Sequence, residues 1–344
     1  MADDTRRTVG VVDTDELLAR VSQAAQAFAP GSSLSTVEPL QGGSSSLTYR
    51  ATLEGGPVDV IVVKVAPPGV PPVRNRDVLR QARVLQALGG VPGVPVPEVY
   101  FSDEGDPPDV PPFFAMSYVE GESFEPILNT EGDPSPEDLR ARALTSARVL
   151  ADLQAADPRG IGLAGEPEVD LAGEIERWVR LFATVDDELK PRSDEAAQAL
   201  HDTMPAALPS VVLHGDYRLG NMQCVGPEIR AIIDWEIWSP SDPRIDVTWW
   251  LMFTDQGHHP AARRQAAPGM LSADELLAAY TEARGAPLPD LDWFHALTRF
   301  KEAAATALIV KHLRRRQGVV AADEFGAGQI PQLIVDTLTI LGRD

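Results

Sequence analysis

Two acidic residues and one amide lie at a spacing that suits phosphoryl transfer. Asp216 follows a short apolar segment, Val211–Leu213, and Asn221 comes five residues later. A hairpin over residues 222–233 would return Asp234 to the side of Asn221. Transfer of a phosphoryl group to a hydroxyl needs a proton acceptor and hard oxygen ligands that hold Mg²⁺ on the phosphates. An isolated Asp-x-x-x-x-Asn is common in loops, but the complete arrangement favours this chemistry.

A lone cation in the first third of the chain is a candidate phosphate contact. Lys64 interrupts the apolar run Val60–Val65. A buried, unpaired ammonium group is costly, so it needs a partner or a ligand. The sequence predicts contact with the α- and β-phosphates of a nucleotide, and a solvent-facing lysine on an edge strand is the alternative.

A loop rich in glycine and serine comes shortly before Lys64. Glycines let the backbone approach phosphates closely, and serine hydroxyls and backbone amides can donate to phosphate oxygens. A plain loop is the alternative, but the position before a β-hairpin that carries Lys64 favours phosphate binding. The predicted contacts are Gly42, Gly43, Ser44, Ser45 and Ser46.

The elements that must position these residues form two regions. Strands are predicted at Leu47–Leu53, Val58–Val65 and Phe113–Val119, with a helix at Arg74–Leu88. Helices are predicted after Ser135 and at Leu171–Leu189, Ser193–Leu208, Leu276–Ala283, Trp293–Arg316 and Pro331–Leu341. Short strands at Val211–Leu213, Met222–Val225 and Ile229–Ile233 interrupt the helical region. The pattern predicts an α+β, bilobal protein with a β-rich lobe at 1–115, a hinge at 116–121 and a mainly helical lobe at 122–344.

Composition narrows the classes of partner. The chain has 344 residues and a net charge of −21, which disfavours binding to a nucleic-acid backbone. No segment has the roughly 18 apolar residues of a membrane span. The first ten residues lack the apolar core of a secretory signal, and the single cysteine, Cys224, fits a reducing compartment. We expect a cytoplasmic protein that binds neither nucleic acid nor membrane, and a homodimer is left open.

Three strings resemble the aminoglycoside phosphotransferase and choline kinase superfamily, whose members are relatives of the protein kinases. They are His214–Asn221 (HGDYRLGN), Ile232–Glu236 (IIDWE) and Ser241–Trp250 (SDPRIDVTWW). The strings are most similar to kinase-like domains found beside or fused to acyl-CoA dehydrogenases. The resemblance implies a protein-kinase-like fold with a nucleotide-binding N-terminal lobe and an acceptor site in the C-terminal lobe.

The resemblance also implies roles for single residues. Asp216 is the catalytic base, and Asn221 and Asp234 are Mg²⁺ ligands. Arg218 falls where a positive charge could stabilise the transferring phosphoryl group, and pairing with a local acid is the alternative. Asp246 matches a later aspartate of the family, which supports the catalytic loop through hydrogen bonds.

Further expectations concern packing around that loop and the nucleotide. His214 is expected to be buried and to brace the loop. Trp249–Phe253 are expected to form core beneath the loop, and a tryptophan that lines the acceptor pocket is the alternative.

Related kinases pair the lysine that corresponds to Lys64 with a glutamate of the next helix. Here Gln81 aligns at that position, and Asp77, one helical turn earlier, could substitute. The hinge residues expected at the adenine are Ser117, Tyr118 and Val119.

The predicted function is a phosphotransferase that uses ATP, or GTP, and Mg²⁺ to phosphorylate a hydroxyl of a small molecule. The acceptor suggested by the subgroup is a hydroxyacyl thioester or another metabolite, and an aminoglycoside or other antibiotic is the alternative. A non-catalytic, nucleotide-binding module is the alternative from another class, and Gln81 is its sequence support.

Overall fold

The computed structural model describes residues 14–40, 46–129, 131–254, 259, 262, 267–317 and 326–343, except for the side chains of residues 316 and 317. These residues form two compact units. The first unit contains the described residues of Met1–Val91, Pro95–Glu120 and Arg230–Ile237. The second unit contains those of Pro92–Val94, Gly121–Ile229 and Trp238–Asp344.

An antiparallel sheet forms the centre of the first unit, with the strand order β1-β2-β3-β5-β4. Its strands are β1 (Ser33–Pro39), β2 (Leu47–Glu54), β3 (Val60–Val65), β4 (Val99–Asp103) and β5 (Phe113–Ser117). Between β2 and β3, Gly55 has a φ of +73°, and a Cβ there would lie 2.9 Å from the carbonyl oxygen of Gly31, so the turn requires glycine. In β3, Lys64 pairs with Thr48 of β2 and Phe114 of β5. Lys64 therefore lies in a central strand, and the edge-strand alternative is wrong.

Two helices accompany this sheet, α1 (Thr14–Phe28) and α2 (Val78–Leu88). Leu17 and Val21 of α1 pack in one hydrophobic cluster with Val63 and Val65 of β3. Because successive side chains of a strand point to opposite faces, Lys64 lies on the other face of β3, where it contacts α2.

The second unit is mainly helical. Its helices are α3 (Pro136–Ala155), α4 (Leu171–Phe182), α5 (Ser193–Asp202), α6 (Arg244–Met252), α7 (Ala273–Arg284), α8 (Leu291–Gln317) and α9 (Ile330–Ile340). One hydrophobic core combines buried side chains of α4, α5, α8 and α9. On α8, the buried residues Phe300, Ala303, Ala304 and Ala307 face this core. Small alanine side chains allow the neighbouring helices to approach α8 closely.

Short strands interrupt the helices and flank the loop His214–Asn221. β6 (Val211–Leu213) pairs antiparallel with β9 (Ser239–Ser241), and β7 (Met222–Val225) forms a two-stranded sheet with β8 (Glu228–Ile232). Beyond β9, the buried carboxylate of Asp242 accepts a hydrogen bond of 2.7 Å from the Arg244 guanidinium. This ion pair fixes the start of α6.

The predicted α+β class is confirmed, and each predicted strand and helix has a counterpart. Three helices are shorter than predicted. α2 begins at Val78, because Arg74–Arg76 form a separate 3₁₀ turn and Asp77 caps the helix. α4 ends at Phe182, with a separate 3₁₀ turn at Asp187–Leu189, and α5 ends at Asp202, ahead of Pro205. The elements α1, β1, β4, β9 and α6 were not predicted. Within the described part of the chain, no helix is long and apolar enough to cross a membrane.

Candidate active site

The loop His214–Asn221 follows β6 and is held by a carboxylate of α6. Asp246 accepts the backbone N–H of His214 at 2.6 Å and that of Gly215 at 2.9 Å. Nδ1 of His214 accepts the N–H of Asp216 at 3.2 Å, and both His214 and Asp246 are fully buried. The predictions that Asp246 supports this loop and that His214 braces it are confirmed.

Three side chains orient the Asp216 carboxylate. Trp249 Nε1 donates to Oδ1 at 2.7 Å, and Asn221 Nδ2 donates to Oδ2 at 2.7 Å. Arg218 Nε lies 3.2 Å from Oδ1 and 3.3 Å from Oδ2. The Asp216 side chain is still 23% exposed, so a group from solution can reach it.

The charges around Asp216 keep it ionised. Burial alone would raise the pKa of this carboxyl, but the positive charges of Arg218 and Lys301 and the hydrogen bond from Trp249 lower the pKa below its ordinary value. A carboxylate that stays ionised at neutral pH can accept both the hydrogen bond and the proton of a hydroxyl.

Arg218 is shared between two acidic residues. Besides Asp216, its Nη1 lies 3.5 Å from Oε2 of Glu125, and the same oxygen accepts the N–H of Gly220 at 3.0 Å. Burial raises the pKa of Glu125 to about 7, although Arg218 and the Gly220 N–H act in the opposite direction. Pairing of Arg218 with local acids, the alternative considered above, is thus present. A contact between Arg218 and a phosphoryl group stays a prediction.

The amide of Asn221 is oriented by the backbone and the side chain of Asp216. Its Nδ2 donates to the Asp216 carbonyl at 2.8 Å as well as to the carboxylate. Because the nitrogen is committed to Asp216, the amide oxygen is directed away from it. An amide oxygen is among the hard ligands that suit divalent cations. Asn221 therefore fits a role as a Mg²⁺ ligand.

In the first unit, Lys64 is held by two groups. Its Nζ donates to Oε1 of the buried Gln81 at 3.1 Å and lies 3.4 Å from Oδ1 of Asp234. Asp77 instead accepts the N–H of Arg80 at 2.9 Å and caps the start of α2. The suggestion that Asp77 could substitute for Gln81 is wrong, because its carboxylate is used as the helix cap.

Asp234 has an unusual backbone conformation. Its φ is +67°, a region that non-glycine residues rarely adopt and that is enriched at functional sites. The side chain is 36% exposed, and Oδ1 contacts Lys64. Together these residues open onto a small, mostly apolar pocket. Its other lining residues are Gln81, Leu85, Pro97, Phe114, Met116, Ile233 and Trp235.

Asn221 of the second unit and Asp234 of the first each offer an oxygen of the kind that binds Mg²⁺. Among the residues that the structure describes, no group of three or more His, Cys, Asp or Glu could hold a metal ion. Mg²⁺ is usually bound through one or two protein oxygens together with phosphates and water, which does not require such a group. The carboxylate of Asp234 and the amide oxygen of Asn221 are donors of the required kind.

The remaining predicted nucleotide contacts are placed only in part. Gly42, Gly43, Ser44 and Ser45 lie outside the described residues, and Ser46 is buried just before β2. Ser117 donates its N–H to the carbonyl of Glu98 at 2.8 Å, and its hydroxyl accepts the N–H of Glu98. The Tyr118 ring is exposed and lies 5.4 Å from the Arg50 guanidinium, whereas Val119 is half-buried. Their contacts with a nucleotide stay predictions.

Sequence reasoning missed two residues near Asp216, which are Glu125 and Lys301 of α8. It also did not foresee the hydrogen bond from Trp249 to Asp216. A signal for Lys301 was present, because it continues the helical stripe of apolar residues that begins at Phe294 and Leu297. A charged residue on a buried stripe needs an explanation.

The class of the enzyme follows from comparison with known protein families. Residues 36–289 match the model of the phosphotransferase enzyme family. The chain belongs to this family, which confirms the predicted enzyme class.

Solved structures with the same fold include a provisionally assigned aminoglycoside phosphotransferase from Ralstonia eutropha. It is 24% identical, with a TM-score of 0.73, and the alignment covers 95% of this chain and 98% of that one. A GDP complex of a mutant aminoglycoside 2′-phosphotransferase IIIa is 18% identical, with a TM-score of 0.59 and coverage of 94% and 98%. A thermostable mutant of APH(4)-Ia with ADP and hygromycin B is 13% identical, with a TM-score of 0.59 and coverage of 94% and 98%. These likenesses confirm the predicted kinase-like fold.

Curated relatives carry acyl-CoA dehydrogenase names. The probable acyl-CoA dehydrogenase IBR3 of Arabidopsis thaliana is 28% identical over 316 residues, which are 85% of this chain and 38% of that protein. Acyl-CoA dehydrogenase family member 10 of Mus musculus is 27% identical over 217 residues, 60% of this chain and 19% of that protein. The chain thus spans about two fifths and one fifth of the length of these relatives.

Proposed function

We propose that this chain transfers the γ-phosphoryl group of ATP, or of GTP, to a hydroxyl of a small molecule. The observation that carries the proposal is the Asp216 carboxylate, which is ionised, partly exposed and oriented by Asn221 and Trp249. Family membership supports phosphoryl transfer as the reaction. Similar structures hold GDP or ADP, which supports a nucleotide as the donor.

Asp216 acts as the base. It accepts a hydrogen bond from the acceptor hydroxyl and so directs the oxygen lone pair at the γ-phosphorus. The new O–P bond forms as the bond from the γ-phosphorus to the bridging oxygen breaks, and the nucleoside diphosphate leaves with that electron pair. Because the lowered pKa makes Asp216 a weak base, the proton moves to its carboxylate late, once bond formation has acidified the hydroxyl. Arg218 offsets the negative charge that builds on the phosphoryl oxygens.

Other residues hold the nucleotide. Lys64, fixed by Gln81, contacts the α- and β-phosphates. Bound Mg²⁺ supplies positive charge at the phosphates, and Asn221 and Asp234 would hold it. The segment 42–46 donates to phosphate oxygens, and residues 117–119 contact the base. The division at 116–121 into a nucleotide-binding and an acceptor lobe belongs to the same proposal, and the cytoplasmic location and a homodimer stay predictions.

Two acceptor classes have specific support. Relatives named as acyl-CoA dehydrogenases favour a hydroxyacyl thioester, which we take as the first candidate. The aminoglycoside complex among the similar structures favours an antibiotic as the second. The non-catalytic alternative loses support, because Gln81, the residue that suggested it, does hold Lys64.

The test is phosphoryl transfer from γ-³²P-labelled ATP or GTP, with Mg²⁺, to defined acceptors. The panel contains 3-hydroxybutyryl-CoA, kanamycin A, hygromycin B and water, and mass spectrometry locates the phosphate. We expect the thioester to be phosphorylated at least about tenfold faster than either antibiotic, a difference of about 1.4 kcal/mol in the barrier. Faster transfer to an antibiotic would reverse the order of acceptors. Nucleotide binding by calorimetry without transfer to any acceptor, including water, would establish the non-catalytic module instead.

A further inference from the structure

Lys301 is a buried cation directly beneath the candidate catalytic loop. The residue lies on α8 and is 4% exposed, and its Nζ donates a hydrogen bond of 2.5 Å to the carbonyl of Gly215. Gly215 is the residue immediately before Asp216. Burying an ammonium group costs several kcal/mol unless the surroundings compensate it, so this position is not an ordinary one for lysine.

The same ammonium group lies against an aromatic ring. Lys301 Nζ is 3.8 Å from the centroid of the Trp249 ring and 5.6 Å from that of Trp178. A cation over a tryptophan face is attracted by the negative charge of the π-system, and the attraction grows when water is excluded. Such a cation also draws electron density from the indole, which makes the indole N–H a stronger donor.

That indole N–H is bound to the proposed base. Trp249 Nε1 donates to Asp216 Oδ1 at 2.7 Å. Lys301 therefore reaches Asp216 by two routes, through the backbone at Gly215 and through the ring of Trp249. A single side chain of α8 thus fixes the backbone on one side of the base and the donor that orients its carboxylate.

The charged groups that face Lys301 come from three elements. They are Glu174 and Arg177 of α4, Asp246 of α6 and Asp216 of the loop. Burial lowers the pKa of Lys301, while Glu174, Asp246 and Asp216 act to raise it. Neutralising these acids is a purely structural role that Lys301 could also serve, and an experiment has to distinguish it from positioning.

We propose that Lys301 is a positioning residue for phosphoryl transfer. It holds the Gly215 carbonyl and the Trp249 indole in place, and thereby sets the orientation of the Asp216 carboxylate toward the acceptor hydroxyl. The proposal rests on the proposed function, in which Asp216 is the base. Lys301 itself does not contact the nucleotide or the acceptor in this account.

The test compares four variants. Lys301→Met removes the charge and the donor, Lys301→Gln keeps a donor without the charge, and Trp249→Phe removes the indole N–H. Lys311→Met is the matched control, because Lys311 lies on the same helix and also donates to a backbone carbonyl, that of Thr184. Circular dichroism and thermal unfolding establish which variants fold.

The first readout is the indole N–H spectrum of protein labelled with ¹⁵N-tryptophan, in which the chain's six tryptophans give six signals. Trp249→Phe assigns the Trp249 signal. We expect this signal to move to lower proton frequency in Lys301→Met and by a smaller amount in Lys301→Gln, because the hydrogen bond to Asp216 weakens. It should not move in Lys311→Met. A Trp249 signal unchanged in the folded Lys301 variants would overturn the proposal, and Lys301→Gln serves if Lys301→Met does not fold.

The second readout is the kinetics of transfer from ATP to the best acceptor of the panel above, which includes water. We expect kcat to fall about a hundredfold in Lys301→Met, because a small misplacement of the base is costly, while the KM for ATP changes by less than about twofold. Lys301→Gln should recover part of kcat. Equal loss in Lys311→Met, or a rise in the KM for ATP with kcat unchanged, would contradict positioning. Full activity of Asp216→Asn would defeat the proposed function, while the coupling of Lys301 to Trp249 would still be decided by the spectrum.

Discussion

Lys64 Nζ donates a hydrogen bond of 3.1 Å to Oε1 of Gln81, at the position where the resemblance to related kinases leads one to expect a glutamate. The neutral amide fixes the ammonium group without neutralising its charge. The carboxylate that faces this ammonium is that of Asp234, at 3.4 Å. On the side of α2, Lys64 is therefore held by a neutral amide, where the resemblance implies a carboxylate.

Removing the Gln81 amide should weaken nucleotide use. A hydrogen bond to a charged group contributes about 1.5–3 kcal/mol, so we expect Gln81→Ala to raise the KM for ATP about tenfold or more. Gln81→Glu should retain affinity close to that of the wild type, because a carboxylate also accepts from Lys64. Exposed Gln86 of the same helix supplies the control, Gln86→Ala. A wild-type KM in Gln81→Ala would show that Lys64 does not depend on this contact.

Asp246 should be more important for stability than an ordinary capping aspartate. Asp246→Ala would leave two buried N–H groups, those of His214 and Gly215, without their acceptor, at a cost of about 1–3 kcal/mol each. Asp170→Ala removes a single, exposed cap of α4 and should cost about 1 kcal/mol. Urea unfolding measures both values. We expect loss of turnover only in Asp246→Ala, and similar stabilities of the two variants would contradict the account of the loop.

The buried carboxyl of Glu302 predicts a pH dependence of stability. Burial raises its pKa from 4.5 to about 7, while the Thr306 hydrogen bond and Lys301 oppose that rise. When a folded-state pKa lies above the unfolded value, the stabilising contribution is complete below pH 4.5 and is lost as the pH rises through 7. At 1.36 kcal/mol per pKa unit, the loss is at most about 3 kcal/mol.

Glu302→Gln mimics the protonated form and tests this dependence. Its free energy of unfolding, relative to the wild type, should increase between pH 5 and pH 8. The control is Glu282→Gln, which changes an exposed carboxyl of α7. A difference between Glu302→Gln and wild type that stays constant with pH would show that Glu302 ionises normally.

Local patterns predicted most elements, but not the partners of the site residues. Asp216, Asn221 and Lys64 were found because their residue types and spacing are unusual beside apolar strands. The choice between Gln81 and Asp77 could not be made from spacing, since both lie on one helical face and the outcome depends on which residue caps α2.

The contacts of Asp216 and Gly215 with α6 and α8 were equally hidden. Trp249 is 33 residues from Asp216, and Lys301 is 86 residues from Gly215. Contacts at such separations are set by how the helices pack, and no local periodicity encodes them. The buried stripe of α8 identified Lys301 as unusual, but not which carbonyl it would bind.

The most direct test of the account is the turnover of Asp216→Asn with γ-³²P-labelled ATP and Mg²⁺. Asparagine preserves the size of the side chain but cannot take a proton from a hydroxyl. We predict that phosphoryl transfer falls by about 10²–10⁴-fold while the dissociation constant for ATP, measured by calorimetry, changes by less than about twofold. Phosphoryl transfer at the wild-type rate in this variant would contradict the assignment of Asp216 as the base.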